Sequence, residues 1–159
     1  MDKTQIVKTL RWQDEADTQA FAQDLASRPA LRMATLELQG DLGAGKTTLV
    51  RHLLRALNVQ GRIKSPTYAV VEPHQGTTPE GALDIWHFDF YRFNDPREWE
   101  DAGFRDLFAS PGLKISEWPE QARAVLPTAD LSIHLQVLED DARLATLNAQ
   151  TPLGEALLA

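Results

Sequence analysis

Three glycines, a lysine and two threonines fall at a spacing that can hold a phosphate: Gly40-Asp41-Leu42-Gly43-Ala44-Gly45-Lys46-Thr47-Thr48. The run satisfies the pattern G-x-x-x-x-G-K-[ST] in full. Glycine admits backbone angles closed to other residues and lets the main chain approach phosphate oxygens with no Cβ in the way. The loop N–H groups and the first turn of a following helix then point at a β-phosphate. Lys46 supplies a mobile point charge for the β- and γ-phosphates. The Thr47 hydroxyl is placed to ligate Mg²⁺. A glycine-rich turn matches this pattern by accident in about one chain in a few hundred of this length. The nucleotide-binding set predicted here is Asp41, Leu42, Gly43, Ala44, Gly45, Lys46, Thr47 and Thr48.

Such a loop needs carboxylates to fix the metal and orient water. Two acids end apolar, strand-like runs: Asp89 in His87-Phe88-Asp89-Phe90-Tyr91-Arg92, and Glu117 after Leu113-Lys114-Ile115-Ser116. Ligands of open α/β sheets collect at the carboxyl ends of strands, so both acids are expected to face the loop. Lys46, Asp89 and Glu117 form the predicted catalytic set, and Thr47, Glu117 and Asp89 the metal set. Which acid holds metal and which orients water stays open. Ser65-Pro66-Thr67-Tyr68, between the loop helix and the next strand, either orders around a γ-phosphate through its hydroxyls or is a proline turn. Trp118 either stacks on a base or ribose or caps the core. His87 shares a strand face with Asp89 and is expected to support it. Arg92 reads as the partner of Asp89 in a salt bridge, or as a phosphate sensor. No pair among His52, His74, His87 and His134 has metal-ligand spacing.

The elements that position these residues follow from periodicity. Ile6 to Trp12 reads as a first strand. Asp14 N-caps a helix with Asp17 in its first turn, running to about Ser27 with Ala16, Ala20, Phe21 and Leu25 inward. Ala34, Leu36 and Leu38 alternate with Thr35, Glu37 and Gln39 as a strand that feeds Gly40. Leu49, Val50, Leu53, Leu54 and Leu57 recur at helical spacing after the loop. Further strands are expected at Tyr68 to Glu72, Leu83 to Phe90 and Leu113 to Ser116, with an exposed turn at Pro73 to Gly81. Short helices are expected at Arg97 to Ala102 and after Pro119. Leu131 to Leu138 and Arg143 to Leu147 form a terminal hairpin around Glu139-Asp140-Asp141. Alternating strands and helices give a single α/β domain over residues 1–159, a mainly parallel central sheet with helices on both faces and antiparallel strands toward the C-terminal part.

Composition narrows the function. The net charge is −7 and no Lys/Arg run exceeds two residues, which disfavours a broad direct grip on DNA or RNA. A nest of backbone N–H groups still holds phosphate on an acidic protein. The chain has no cysteine, so disulfides and thiolate metal sites are excluded and a reducing cytoplasm fits. No stretch approaches the length of a membrane span, and the first residues do not read as a secretory signal.

In order and spacing, the phosphate loop, Lys64-Ser65-Pro66-Thr67-Tyr68, His87-Phe88-Asp89-Phe90-Tyr91-Arg92 and Glu117-Trp118-Pro119 resemble the TsaE (YjeE) family, the ATPases of bacterial tRNA threonylcarbamoyladenosine biosynthesis. The match runs from about residue 14 to about residue 135. It departs from the family at Phe90, usually leucine, and His52, often glycine. The resemblance implies a P-loop NTPase-like three-layer sandwich and a weak Mg²⁺-dependent ATPase that binds ATP and ADP. It implies two larger protein partners, TsaB and TsaD, with tRNA reached only through or beside their complex. By the same resemblance Thr47 and Glu117 hold Mg²⁺, Asp89 supports metal or water, Ser65, Pro66, Thr67 and Tyr68 form a nucleotide-sensing switch, and Trp118 lies by the active site. Glu15 and Thr18 are expected near the adenine. Two rivals stay open: a small P-loop kinase of a metabolite, against which stands the lack of an arginine-rich insertion, and a nucleotide-dependent binding module.

Overall fold

A computed structural model describes residues 6–64, 66, 70–101 and 103–159. Among these residues seven strands form one sheet in the order β1-β7-β6-β2-β5-β4-β3: β1 Ile6–Trp12, β2 Thr35–Gln39, β3 Val71–Thr78, β4 Gly81–Asp89, β5 Leu113–Glu117, β6 Leu131–Val137 and β7 Arg143–Ala149. The inner four, β6-β2-β5-β4, are mutually parallel. Antiparallel pairing is confined to the flanks, β3 on one side and β7 with β1 on the other. The antiparallel part therefore includes the N-terminal strand and β3 as well as the expected terminal hairpin.

This pairing sends the carboxyl ends of β2, β4, β5 and β6 to one edge. Because β7 runs against β6 and β1 against β7, the start of β7 and the end of β1 arrive at that same edge, with Trp12 and Arg143 in register. Helices α1 (Glu15–Ala26) and α2 (Lys46–Ala56) cover one face, packing on Leu36, Leu38, Ile85, Ile115, Ile133 and Leu147. Helices α3 (Pro96–Asp101) and α4 (Phe104–Ala109) cover the other through an aromatic cluster of Phe88, Phe90, Phe93, Trp99 and Phe104. All five residues of β5 are buried, as a central strand covered on both faces requires. Helix α5 (Pro152–Leu158), which no sequence reading anticipated, packs beside β7 and the 3-10 turn Pro29–Met33.

Asp14 caps α1 by accepting the Asp17 N–H at 3.2 Å, and Asp17 accepts the Gln13 N–H in return at 2.8 Å. The inward face of α1 is Thr18, Ala22 and Leu25 with Phe21 half-buried, whereas Ala16 and Ala20 are exposed. The residues 18, 22 and 25 fall at the i, i+4, i+7 positions that contact α2. The two alanines lie off that stripe, and their small apolar side chains gave no means of fixing the phase.

The expected exposed turn at Pro73 to Gly81 is instead the second half of β3, and the turn shrinks to Pro79-Glu80. Proline is tolerated there because β3 is an edge strand. Its outer end is docked on α2: the Thr77 N–H donates to the Leu57 carbonyl at 2.8 Å, and the Asn58 amide donates to the Thr77 carbonyl at 2.9 Å. Gly76 makes that approach possible, since a Cβ would lie 2.4 Å from the Leu57 carbonyl oxygen. Gly76→Ala is expected to lower stability by about 1–3 kcal/mol through this backbone clash, read as a fall in the urea midpoint at unchanged m-value.

Candidate nucleotide site

The phosphate loop leaves β2 at Gly40 and enters α2 at Lys46. Gly40 (φ 143°) and Gly45 (φ 108°) both hold left-handed backbone angles that a side chain would strain. Gly40 also passes against β6, where an added Cβ would meet the Leu135 carbonyl oxygen at 2.5 Å. Gly45 is the N-cap of α2 and has no side chain to satisfy the helix's first N–H groups. Those donors, and the positive end of the helix, remain for an anion.

Lys46, in the first turn of α2, is only 5% exposed. Its ammonium donates to the Gly40 carbonyl and sits 3.6 Å from the centroid of the Trp118 ring. Burial pulls its pKa below the usual lysine value, opposed by the charges of Glu117, Glu120, Asp89 and Asp41. Trp118 holds a left-handed backbone angle (φ 55°) directly after β5, and Tyr91 packs on it with ring centroids 5.0 Å apart. The tryptophan packs against the edge of the Phe88 aromatic cluster, as the core-capping alternative expects, and also walls the lysine's pocket.

The strand register brings the two acids side by side, Asp89 opposite Glu117 in the β4–β5 pair and Leu38 opposite Glu117 in the β2–β5 pair. The Thr47 hydroxyl donates to Glu117 Oε1 at 3.2 Å. The other oxygen, Oε2, lies 2.5 Å from His87 Nε2. His87 is 1% exposed, and its Nδ1 has no partner among the described residues. His87 therefore bonds Glu117, and Asp89 takes another partner, correcting the expectation that His87 supports Asp89. Glu117 lies diagonally across from His87, which is directly opposite Ile115, and both side chains are long enough to span that diagonal. Asp89 instead accepts the Tyr91 N–H at 3.0 Å, and Arg92 is exposed with no ion pair among the described residues.

Burial raises the Asp89 pKa; the neighbouring Glu117 charge adds to this, while the Tyr91 N–H and the His87 and Lys46 charges oppose it. A raised pKa means that the folded protein holds the proton to higher pH than the unfolded chain. Stability is therefore greatest below the ordinary aspartate pKa and is lost as pH rises through the folded value. Asp89→Asn keeps the acceptor for Tyr91 and removes the charge. In metal-free buffer it is expected to melt higher than the parent at pH 7, by on the order of 2 °C, with the gap closing as pH falls toward 4. Thermal melts at the two pH values check this.

Lys46, Thr47, Asp89, Glu117, Trp118 and Tyr91 line a cleft of about 300 Å³ together with Leu42, Gly43 and Thr48. A second compartment of about 170 Å³, lined by Trp12, Asp14, Glu15, Thr18, Leu135 and Asp141, meets it along Gly45, Thr48 and Arg143. Glu15 and Thr18, expected near an adenine, lie in this second compartment, where Glu15 also pairs with His52 at 2.8 Å. Asp41 and Ala44 complete the loop; Ala44 is buried and Asp41 exposed. Of the expected switch, Pro66 is buried, and Ser65, Thr67 and Tyr68 lie outside the described residues. A wider groove of about 500 Å³, between α4 and the segment around Val125, lies on the opposite face with none of the phosphate-binding pieces.

These residues fit a nucleotide with Mg²⁺. Among the described residues no three His, Cys, Asp or Glu side chains cluster into a metal cage. A hydroxyl and one or two carboxylates beside a phosphate cradle is the donor set of an ion that takes its remaining ligands from phosphate and water. Sequence reasoning missed Trp12 and Arg143. Both were read only as strand ends, and only the β1–β7 register reveals that those ends meet the loop.

Known proteins match most of the chain. A profile of the family described as "Threonylcarbamoyl adenosine biosynthesis protein TsaE" matches residues 12–145. The tRNA threonylcarbamoyladenosine biosynthesis protein TsaE of Haemophilus influenzae is 41% identical over 138 residues, covering 87% of this chain and 84% of that protein. Its Bacillus subtilis counterpart is 32% identical over 145 residues, covering 90% and 87%. The crystal structure of Bacillus subtilis YdiB superposes with a TM-score of 0.77 at 26% identity, covering 99% of this chain and 95% of that one. With a family match over most of its length, and a fold shared with YdiB, the chain belongs to the TsaE family.

Proposed function

We propose that this protein is a Mg²⁺-dependent ATPase that serves the formation of threonylcarbamoyladenosine in tRNA by acting on a complex of TsaB and TsaD. The reading rests first on one observation: Lys46 and Thr47 at the start of α2 and Glu117 at the end of β5 converge in a single cleft, with the Thr47 hydroxyl already on Glu117. The pathway comes from the relatives' names. The net charge of −7 supports contact with tRNA through protein partners rather than by a basic face. No helix among the described residues is long and apolar enough to cross a membrane, and the cytoplasm is the proposed compartment.

In this reading the loop N–H groups and Lys46 hold the β- and γ-phosphates of ATP. Thr47 and Glu117 hold Mg²⁺, which when bound neutralises charge on the phosphate oxygens. Asp89, with its raised pKa, orients the attacking water and accepts its proton. Trp118 and Tyr91 wall the cleft and keep Lys46 in place. ATP hydrolysis resets the partner complex between turnovers.

The test is ATP hydrolysis by the purified chain with and without TsaB and TsaD. Slow turnover alone and clear stimulation by the pair is the expected result. Absence of any partner effect on turnover and on tRNA modification overturns the assembly part of the reading. ADP release that requires a small-molecule acceptor would make the protein a kinase.

A further inference from the structure

Arg143 opens β7 at the edge of the sheet where the phosphate loop lies, beside Trp12 in the register of the β1–β7 pair. It lines both compartments of the cleft, and with Gly45 and Thr48 it forms their shared boundary. Its Nε donates to the Ala44 carbonyl of the phosphate loop at 3.0 Å, and its Nη1 donates to the Asp141 carbonyl. Among the described residues these two main-chain carbonyls are its only acceptors, and no carboxylate pairs with it. Arg32 and Arg55 also bond only neutral oxygens, but neither lines the cleft, and four other arginines are neutralised by carboxylates. Arg11 pairs with Asp140, Arg28 with Asp24, Arg97 with Asp95 and Arg123 with Glu37. A half-buried guanidinium held by neutral carbonyls keeps its full charge and spare N–H donors for an anion.

We propose that Arg143 is a nucleotide-binding residue that contacts the phosphate chain at its sugar end, where a nucleotide leaves the phosphate loop for the Trp12 compartment. The proposal rests on the nucleotide reading of the cleft. The loop N–H groups and Lys46 are directed at the terminal phosphates, so the innermost phosphate is the one left without a cation. Arg143 stands where it would pass. The bond from Nε to Ala44 fixes the side chain to the loop itself, which aligns the guanidinium with the cradle before any ligand arrives.

Titration calorimetry with ADP on the full chain tests this, comparing wild type, Arg143→Ala and Arg143→Lys at several NaCl concentrations. Arg143→Ala is expected to weaken ADP binding by about ten-fold or more, as loss of a charge-assisted contact to phosphate does. Arg143→Lys keeps the charge and loses the bond to Ala44, and is expected to stay within about three-fold of wild type. The salt dependence of ADP affinity is expected to flatten in the alanine variant alone. Wild-type affinity in Arg143→Ala overturns the proposal. So does a lysine variant as weak as the alanine variant with unchanged salt dependence, because the arginine then only pins the loop. If wild type itself fails to bind ADP, the nucleotide reading of the cleft falls, and the proposal falls with it.

Discussion

Lys46→Met is expected to reduce ATP turnover at least about a hundred-fold while leaving the protein at least as resistant to heat as the parent. The ammonium sits in the loop on the Gly40 carbonyl, and methionine matches its reach without charge. Its loss removes the charge that meets the β- and γ-phosphates as they gain negative character, a contribution that dedicated transition-state donors make at roughly this scale. The stability half follows from linkage. Burial holds the Lys46 pKa below its unfolded value, so the folded protein binds this proton less tightly than the unfolded chain. The resulting penalty is fully present below the folded pKa and disappears only above the unfolded value. At pH 7 the charged lysine is therefore a cost to the apo fold, and removing it relieves that cost. The bond to the Gly40 carbonyl and the contact with the Trp118 ring offset part of it. Turnover assays and thermal melts of nucleotide-free protein check the two halves separately. A variant that loses turnover only because it unfolds would contradict the assignment of Lys46 to the phosphates.

The same local chemistry explains why the loop was legible from residues alone and other parts were not. Gly40, Gly45, Lys46 and Thr47 act within one turn of chain, so sequence spacing is already spatial geometry. The strands β2 and β5 announced themselves as apolar runs ending at Gly40 and Glu117. Long-range register is another matter. That His87 meets Glu117 depends on how β4 slides along β5, and a one-residue change would send one of them to the opposite face. Arg143 and Trp12 depend on the same kind of information, two antiparallel pairings that return distant strand ends to the loop's edge. The misread turn at Pro73 to Gly81 has a local cause. Proline, glycine and threonine usually punctuate, and only the edge position of β3 and its dock on Leu57 turn them into a strand. The family profile extends to residue 145, past the end of the resemblance seen in the motifs, and so takes in Arg143.

Replacing Glu117 separates metal binding from folding, because its two oxygens face different partners. Oε1 receives the Thr47 hydroxyl and Oε2 lies against buried His87. Glu117→Gln preserves the shape and a carbonyl acceptor for His87, and removes the negative charge. It is expected to keep the parent's stability within about 1 kcal/mol and to bind ADP as well as wild type in EDTA. The gain in affinity on adding Mg²⁺ is expected to vanish, and turnover to fall about a hundred-fold or more. Glu117→Ala is expected to show the same metal defect plus a loss of about 1–3 kcal/mol, since His87 Nε2 is left buried without a partner and its Nδ1 already lacks one. Calorimetry with and without Mg²⁺ reads the metal, and urea unfolding reads the fold. Asp89→Asn completes the comparison. If that variant loses the Mg²⁺ enhancement and Glu117→Gln keeps it, the metal belongs to Asp89 and Glu117 orients the water. If both lose it, the ion is bridged by the pair, which the opposed register of Asp89 and Glu117 on β4 and β5 permits. The His87 contact favours Glu117 as the metal ligand: a carboxylate pinned on one oxygen by a buried imidazole presents the other in a fixed direction, as a metal ligand must be presented and a water-orienting group need not.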